Sequence, residues 1–171
     1  MECGQGLSVR VSAPQSLAAT HRLDGFNCGE PSLDGWLKRR ALANHLSGAS
    51  RTFVVADHDQ CVRGYYALAA GAVSHQDAIG AVRRNMPDPI PVMVLARLAV
   101  DARAQGMKLG AALLRDAVVR VQSVAENAGV RALLVHALNE RAKQFYEHYG
   151  FRESPVHPMI MMLPLPKAHL L

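Results

Sequence analysis

The sequence predicts a three-layer α/β domain, in which helices cover both faces of a mixed central sheet. Its 171 residues, half of them apolar, suit one compact domain spanning residues 1–171. Apolar patterns typical of strands and of helices alternate along the chain in the order β, α, β, β, α, β, α, β, α, β. Because this order lacks internal repeats and separate blocks of strands or helices, it favours one sheet flanked by helices.

The first four elements follow from alternation, helical spacing and a turn. Residues 7–12 alternate enough to form a strand, and Ser32 precedes apolar residues at helical spacing, which predicts a capped helix ending near Gly48. Two apolar runs, residues 52–56 and 61–69, flank four polar residues. Their length and composition predict an antiparallel hairpin.

The remaining elements are predicted from the same signals. A stiff proline-rich loop at residues 87–91 separates a short basic helix from the next strand. The predicted elements are, in order, a helix at 76–84, a strand at 92–100, a helix from Met107 to about Ala128, a strand at 131–138, a helix at 139–149 ended by Gly150, and a strand including 159–163.

The junction between the strand at 92–100 and the long helix predicts an anion site. Residues Gln105–Gly110 contain two glycines and lead directly into the helix. The first turn of a helix has backbone N–H groups without helical acceptors, and its positive dipole end favours anions. A glycine-bearing turn before a helix is also an ordinary connection, so the loop alone does not decide between the two.

Composition narrows the functional classes. The formal charge of +5 favours polyanionic partners, and no apolar run reaches the length of a membrane span. The start of the chain lacks the pattern of an export signal, so we expect a cytoplasmic protein. Three cysteines without C-x-x-C spacing are expected to be reduced thiols, and eight scattered histidines predict no metal site.

Two segments resemble the GNAT acetyltransferase superfamily. One is the loop Gln105–Gly110; the other has Asn139, then Ala142, Tyr146, Gly150 and Phe151, a pattern similar to the cofactor-side helix of that family. Upstream, a resemblance to the acetyltransferase toxins of bacterial toxin–antitoxin pairs is carried by residues 26–29, Leu33, Trp36, Leu37, Ala41 and residues 50–55. The resemblance covers about residues 7–163 and implies a mostly antiparallel GNAT sheet.

The resemblance implies a set of site residues. Tyr146 is expected to protonate the departing thiolate, and Tyr149 is the competing tyrosine. Acetyl-CoA, as acetyl donor, is expected to contact Leu98, Ala99, Val100, Gln105, Gly106, Met107, Lys108, Leu109, Gly110, Ala111 and Asn139. The alternative is a packing role for Tyr146 and a plain helix N-cap for Asn139.

Lys108 departs from the family pattern, which has glycine at this position. A side chain there could crowd the pyrophosphate, or the ammonium could contact a phosphate. We expect ordinary φ/ψ values for Lys108 in the first helical turn, and we expect acetyl-CoA binding to be retained.

The toxins of this group acetylate the amine of aminoacyl-tRNA, which blocks translation. The resemblance therefore implies this activity, with a ribbon-helix-helix antitoxin as partner, and we expect a homodimer. Candidate tRNA contacts are Lys38, Arg39, Arg83 and Arg84, although such basic clusters can also be solvated helix faces.

Two features of the amine chemistry complete the prediction. Asp101 and Glu140 are general-base candidates by position only and are expected to be solvated surface charges. An α-amine has a pKa near 8, so a larger fraction of it is neutral at cellular pH than of a lysine amine, and it depends less on a general base. Alternative functions are a housekeeping acetyltransferase of a small-molecule or protein amine, and a non-catalytic acyl-CoA-binding module.

Overall fold

The chain forms a seven-stranded, mostly antiparallel sheet with helices. The computed structural model describes residues 10–166, and within that range the strand order is β1-β2-β3-β4-β5-β7-β6. The strands are β1 (Gln15–Ser16), β2 (Arg51–Ala56), β3 (Val62–Val73), β4 (Ile90–Val100), β5 (Ala132–His136), β6 (Arg152–Glu153) and β7 (Ile160–Pro164). The helices are α1 (Pro31–Trp36), a π-helical segment (Leu37–Ala41), α2 (Leu42–Ser47), α3 (Gly80–Arg83), a 3₁₀ turn (Ala102–Ala104), α4 (Leu109–Asn127) and α5 (Glu140–His148). The α/β class predicted from the alternation of patterns is confirmed.

The strand pairing is mixed, as predicted. β2 pairs antiparallel with both β1 and β3, and β7 pairs antiparallel with both β5 and β6. β4 and β5 run parallel, with Met93 opposite Leu133 and Leu95 opposite Val135. A parallel pair needs a crossover connection, and α4 lies between these two strands in the sequence.

The chain divides into two compact units. The first contains the described residues up to Leu68 together with Arg97–Ala117. Its core joins the π-helical segment to β2, β3 and the end of β4. The buried residues of this core are Leu17, Phe26, Leu37, Ala41, Val54, Val62, Tyr65 and Ala99.

The second unit contains Ala69–Ala96 and the described residues from Val118 onward. Its core packs α3 and the segment before it against β4, β5 and β7. The buried residues here are Val73, Ala78, Val82, Ile90, Val92, Ala132, Leu134 and Met162. The side chains of these residues fill the core, and this burial accounts for the apolar composition of the runs predicted as strands.

Two predicted boundaries require correction. Residues 7–9 of the expected first strand lie outside the described residues, and 10–12 are not strand, so the first strand is instead β1. The first helix begins at Pro31 after Glu30, not at a Ser32 cap, because proline is well suited to the first helical position. It does end at Gly48, which has φ +83°.

The cysteines differ in part from the sequence-based expectation. Cys28 is a free thiol, whereas Cys61 is disulfide-bonded, which corrects the expectation of three reduced thiols. Among the helices of residues 10–166, none is both long and apolar enough to cross a bilayer.

Candidate functional site

The predicted anion loop lies between the end of β4 and the start of α4, within the first unit. A 3₁₀ turn, Ala102–Ala104, follows β4, and Gly106 has a left-handed φ of +83°. The carbonyl of Lys108 accepts the N–H of Ala112 at 3.2 Å, so α4 begins directly after Lys108. The backbone N–H groups of the first turn therefore precede any helical acceptor, and that turn carries no acidic residue. The loop suits an anion.

Lys108 corrects one expectation from the sequence. Its φ is +58°, in the left-handed region, not the ordinary helical value that we expected. An L-residue adopts this conformation at a cost of about 1–2 kcal/mol, whereas glycine adopts it freely. The glycine of the family pattern therefore has a backbone reason here. Lys108 follows the backbone path that a glycine would take, and its side chain is exposed.

The side chain of Gln105 holds the loop to its surroundings. Its Nε2 donates to the carbonyl of Val100 at 3.1 Å and to the carbonyl of Cys28 at 3.2 Å. These bonds tie the start of the loop to the last residue of β4. Gln105, which matches the glutamine of the family pattern, therefore has a structural role in this chain, because its bonds hold the shape of the loop.

Asp101 is a buried structural carboxylate, which corrects the expectation of a solvated surface charge. It is 0% exposed and accepts the backbone N–H groups of Asn27 at 3.0 Å and Arg103 at 2.9 Å. The Nε and Nη2 of Arg103 donate to it as well, and Nη1 of Arg63 lies 3.9 Å away. Burial opposes its ionised form, but the hydrogen bonds from Arg103 and Asn27 outweigh burial and lower the pKa. A carboxylate held in this way is unsuited to accept a proton from an amine.

The end of β4 contains the residues predicted to contact the pantetheine arm. Ala99 is buried in the core of the first unit, and Leu98 and Val100 are half-buried. The parallel register of β4 with β5 covers Met93–Leu95, in the second unit. The last residues of β4 thus continue beyond that register, with Val100 bonded to Gln105.

Arg97 is a feature that the sequence analysis missed. Its guanidinium lies 4.8 Å from the ring centroid of Trp36, which in turn stacks on Tyr65 at 6.1 Å. The Nε of Arg97 is buried and, among residues 10–166, has no hydrogen-bond partner. In the sequence, Arg97 stands out only as a charge in an apolar strand. The contact with Trp36 is tertiary, between residues far apart in the chain, so no local pattern indicates it.

In the second unit, the tyrosine of α5 and the tyrosine at its C-cap differ sharply in burial. Tyr146 is 6% exposed and Tyr149 is 43% exposed. Phe145 packs edge-on against both rings, at 5.2 Å and 5.1 Å, and Phe151 lies 5.3 Å from Tyr146. Burial raises the pKa of the Tyr146 phenol well above its usual range. Its hydroxyl makes no hydrogen bond within the described part of the chain, so it is available to a ligand.

Both ends of α5 are capped by the residues that the sequence singled out. Asn139 is the N-cap, and its Oδ1 accepts the N–H of Ala142 at 2.9 Å. At the other end, Gly150 has φ +90° and donates to the carbonyl of Glu147, while Phe151 donates to that of Tyr146. These two bonds form a Schellman motif. The plain N-cap alternative for Asn139 is therefore realised, with its Nδ2 still able to donate.

The basic candidates are exposed and fall in different units. Lys38 and Arg39 lie in the π-helical segment of the first unit, and Arg83 and Arg84 lie at the end of α3 in the second. Arg39 packs its guanidinium over Gly35, where an added Cβ would lie 2.4 Å from Nη2. Glu140 is exposed as expected. Residues 10–166 contain no group of three or more His, Cys, Asp or Glu side chains that could hold a metal ion.

Comparison with known proteins gives consistent relatives. A family model described as an acetyltransferase (GNAT) domain matches residues 49–153. A tRNA-acetylating toxin of Mycobacterium tuberculosis is 51% identical over 160 residues, which are 94% of this chain and 96% of that protein. The solved structure of AtaT complexed with acetyl-methionyl-tRNAfMet is 27% identical, with a TM-score of 0.84, and the match covers 91% of this chain and 95% of that one.

A second solved structure adds other ligands. A tyrosine-to-phenylalanine variant of the AtaT toxin, bound to the C-terminus of the antitoxin AtaR and acetyl-CoA, is 28% identical with a TM-score of 0.76. The match covers 88% of this chain and 91% of that one. These similarities extend over both the loop before α4 and helix α5. The chain belongs to the GNAT acetyltransferase family, as the residues of those two segments predicted.

Proposed function

We propose that this chain is an acetyl-CoA-dependent toxin that acetylates the free α-amine of aminoacyl-tRNA and so blocks translation. The observation that carries the proposal is the 51% identity to a tRNA-acetylating toxin across nearly the whole of both chains. We infer that the chemistry of this transfer comes from the loop before α4 and from the buried phenol of Tyr146, which makes no hydrogen bond within residues 10–166.

The loop and the end of β4 are proposed to bind acetyl-CoA as the donor substrate. The loop residues Gln105–Lys108 and the first turn of α4, Leu109–Ala111, would direct backbone N–H groups at the pyrophosphate. Leu98, Ala99 and Val100 would offer backbone groups to the pantetheine arm, and an N–H at or near Val100 would stabilise the charge that develops on the thioester oxygen. The Nδ2 of Asn139 would donate to the arm or to a phosphate.

Tyr146 is proposed as the proton donor to the leaving group. The amine nitrogen forms a bond to the thioester carbon, the carbon–sulfur bond breaks, and the bonding electron pair goes to sulfur. The phenol gives its proton to sulfur and regains one from the amine nitrogen through solvent, so the products are an amide and a thiol. Because burial raises the phenol pKa, Tyr146 stays protonated, and transfer to sulfur must coincide with cleavage of the carbon–sulfur bond.

The surroundings of the two base candidates support an α-amine acceptor. Asp101 is committed to Arg103, Asn27 and Arg63, and Glu140 is exposed at the start of α5. If neither carboxylate acts as the base, the acceptor amine must already be neutral to a useful extent near neutral pH. An α-amine with a pKa near 8 meets this requirement far better than a lysine amine with a pKa near 10.4.

The alternatives are less well supported. A loop distorted by Lys108 would favour a non-catalytic acyl-CoA-binding module, but Lys108 adopts the left-handed conformation that glycine, the residue of the family pattern, adopts freely. A housekeeping acetyltransferase would share the donor site, since acceptor sites vary on one fold. No residue in the described structure favours it over the toxin.

The proposal includes partners and location. We infer an antitoxin of the ribbon-helix-helix type, a toxin homodimer, and action in the cytoplasm on tRNA as a single domain. The solved AtaT structure with the C-terminus of the antitoxin AtaR supports an antitoxin partner. Light scattering of the purified chain and co-purification with the product of a neighbouring small reading frame would test the dimer and the antitoxin.

Expression in cells tests the proposal as a whole. Induction should arrest growth, and Tyr146→Phe should relieve the arrest at equal protein level. Tyr149→Phe is the matched control, since it removes the same hydroxyl from an exposed ring next to the same helix, and it should still arrest growth. Growth arrest by Tyr146→Phe as well as by Tyr149→Phe would contradict the proposal. So would the absence of arrest with all three proteins.

A further inference from the structure

A cleft in the second unit is lined by three arginines. Its volume is about 460 Å³, and its lining residues are Gly80, Ala81, Arg84, Arg131 and Arg152. They come from three separate stretches of the chain, at the ends of α3, before β5 and on β6. The lining thus gathers three positive charges with no carboxylate among them.

The arginines of the cleft also lack acidic partners elsewhere. Within residues 10–166, no ion pair or carboxylate hydrogen bond involves Arg84, Arg131 or Arg152. Like charges close together repel each other, and solvent screens this repulsion only in part. Such an arrangement is stabilised when an anion enters, and it does not contribute to folding by itself.

Arg131 is held in position before any ligand arrives. Its Nη2 donates to the carbonyl of Ala81 at 3.0 Å and its Nε to that of Val82 at 3.3 Å. Its backbone N–H donates to Pro91 and its carbonyl accepts from Leu165, so both main-chain groups are fixed. A guanidinium fixed along one edge still presents Nη1 for a ligand, at a low entropic cost of ordering.

The other two arginines complete the cleft differently. Arg152 lies on β6, opposite Met162 of β7, and its side chain is exposed. Arg84 follows α3, and its backbone N–H donates to Gly80 at 3.1 Å. An added Cβ at Gly80 would meet no atom within 4 Å, so this wall of the cleft is open.

We propose that this cleft binds a backbone phosphate of the RNA substrate, with Arg131 as the fixed ligand and Arg84 and Arg152 closing on it. The inference rests on the proposed function and adds a binding site to it. Guanidinium groups match phosphate oxygens in paired hydrogen bonds, and the cleft has room for a phosphate together with its sugar. The net charge of +5 favours a polyanion as the source of that phosphate.

Binding of uncharged tRNA, measured against salt, tests the cleft separately from acetyl transfer. The variant is Arg84→Gln with Arg152→Gln, because neither side chain makes an intramolecular hydrogen bond in the described structure. Arg115→Gln is the control for one exposed charge, on α4 outside the cleft, and its effect is compared with the effect per charge removed in the double variant. Arg131→Gln is a second variant, checked by thermal unfolding because it also loses two bonds to the backbone of residues 81 and 82.

The expected result is a loss of tRNA affinity of roughly tenfold or more in the double variant. The slope of log K against log salt should become shallower by about 0.7–0.9 for each phosphate that the variant no longer neutralises. Arg115→Gln should change the slope by less, and acetyl-CoA binding should stay at the wild-type level in all variants.

Two outcomes would overturn the inference. One is a double variant with the tRNA affinity and salt slope of the control. The other is binding of poly-glutamate that depends on the three arginines while tRNA binding does not, which would assign the cleft to an acidic protein segment. Inorganic pyrophosphate, added as a competitor, should weaken tRNA binding by wild type but not by the double variant. Failure of acetyl transfer alone, with these binding results intact, would count against the proposed function and leave the phosphate site supported.

Discussion

The backbone N–H of Phe151 donates to the carbonyl of Tyr146 at 3.1 Å, and the rings of the same two residues lie 5.3 Å apart. One residue therefore fixes both the main chain and the ring of the proposed proton donor. The hydrogen bond is part of the motif that ends α5, with Gly150 between α5 and Phe151. Phe151 therefore both helps to end α5 and packs against the ring that carries the phenol.

Gly150→Ala should destabilise the protein by about 1–2 kcal/mol, because φ +90° is unfavourable for an L-residue. Space is not the reason, since the nearest atom to an added Cβ, on Leu163, would lie 3.7 Å away. Urea unfolding gives the free energy. Gly129→Ala is the control: its φ lies outside the left-handed region and its Cβ would meet nothing within 4 Å. Equal losses at both positions would show that the left-handed conformation is not the cause.

Tyr146→Phe should lower kcat for acetyl transfer by about 10²–10⁴-fold, the usual contribution of a positioned proton donor. Thermal stability should change little, because the hydroxyl makes no intramolecular hydrogen bond in the described structure. Assays with charged tRNA, quenched at set times, give the rate of acetyl transfer. Calorimetry gives the affinity for acetyl-CoA separately. Tyr149→Phe should retain near-wild-type kcat, and a comparable loss there would move the role to the exposed ring.

The pH dependence of the reaction follows from the burial of Tyr146. Its pKa is raised, and an acid is active in its protonated form, so the rate should not fall between about pH 8 and 10 through loss of this proton. The rate should rise through the pKa of the acceptor amine and then level off. A tRNA analogue with an amide-linked aminoacyl group avoids ester hydrolysis in this range. A descending limb within that range with wild-type enzyme would contradict the assignment.

Lys108→Gly should stabilise the fold by up to about 1 kcal/mol. The strain energy that it relieves in the folded state exceeds the entropic cost of a more flexible unfolded chain. Acetyl-CoA affinity should change by no more than about tenfold, or roughly 1.4 kcal/mol. Lys108→Ala removes the same charge and keeps the strain. A larger affinity loss in both variants would identify the ammonium as a phosphate ligand.

Asp101→Asn should destabilise the protein at neutral pH by about 3–5 kcal/mol, because Arg103 and Arg63 lose a buried countercharge. The pKa of Asp101 is lowered on folding, so its contribution is present above the ordinary pKa of 3.8 and is lost as pH falls through the folded value. The difference between wild type and variant should therefore shrink below about pH 4. A pH-independent difference would mean that shape, not charge, is what the variant disturbs.

Local signals explain what the sequence predicted well. Asn139, Gly150 and the apolar spacing between them define α5, and all of these act through contacts inside that segment. The hairpin of β2 and β3 was likewise visible, because two apolar runs flank a turn. β6 was missed, since two residues are too few to show a period.

The errors come from tertiary contacts and from backbone conformation. Asp101 is buried because Arg63 and Asn27, distant in sequence, close around it. Arg97 meets Trp36 only after folding, and Arg84, Arg131 and Arg152 meet only in the folded second unit. The left-handed φ of Lys108 is invisible in residue type, because lysine rarely adopts it.

The most direct test of the central claim is acetyl transfer in vitro. Purified protein is incubated with labelled acetyl-CoA and bulk charged tRNA, in parallel with uncharged tRNA and with the Tyr146→Phe protein. We predict label on the aminoacyl group of charged tRNA alone, with almost none from the variant. Absence of label from wild type that still binds acetyl-CoA, or equal labelling of uncharged tRNA, would contradict the proposed activity.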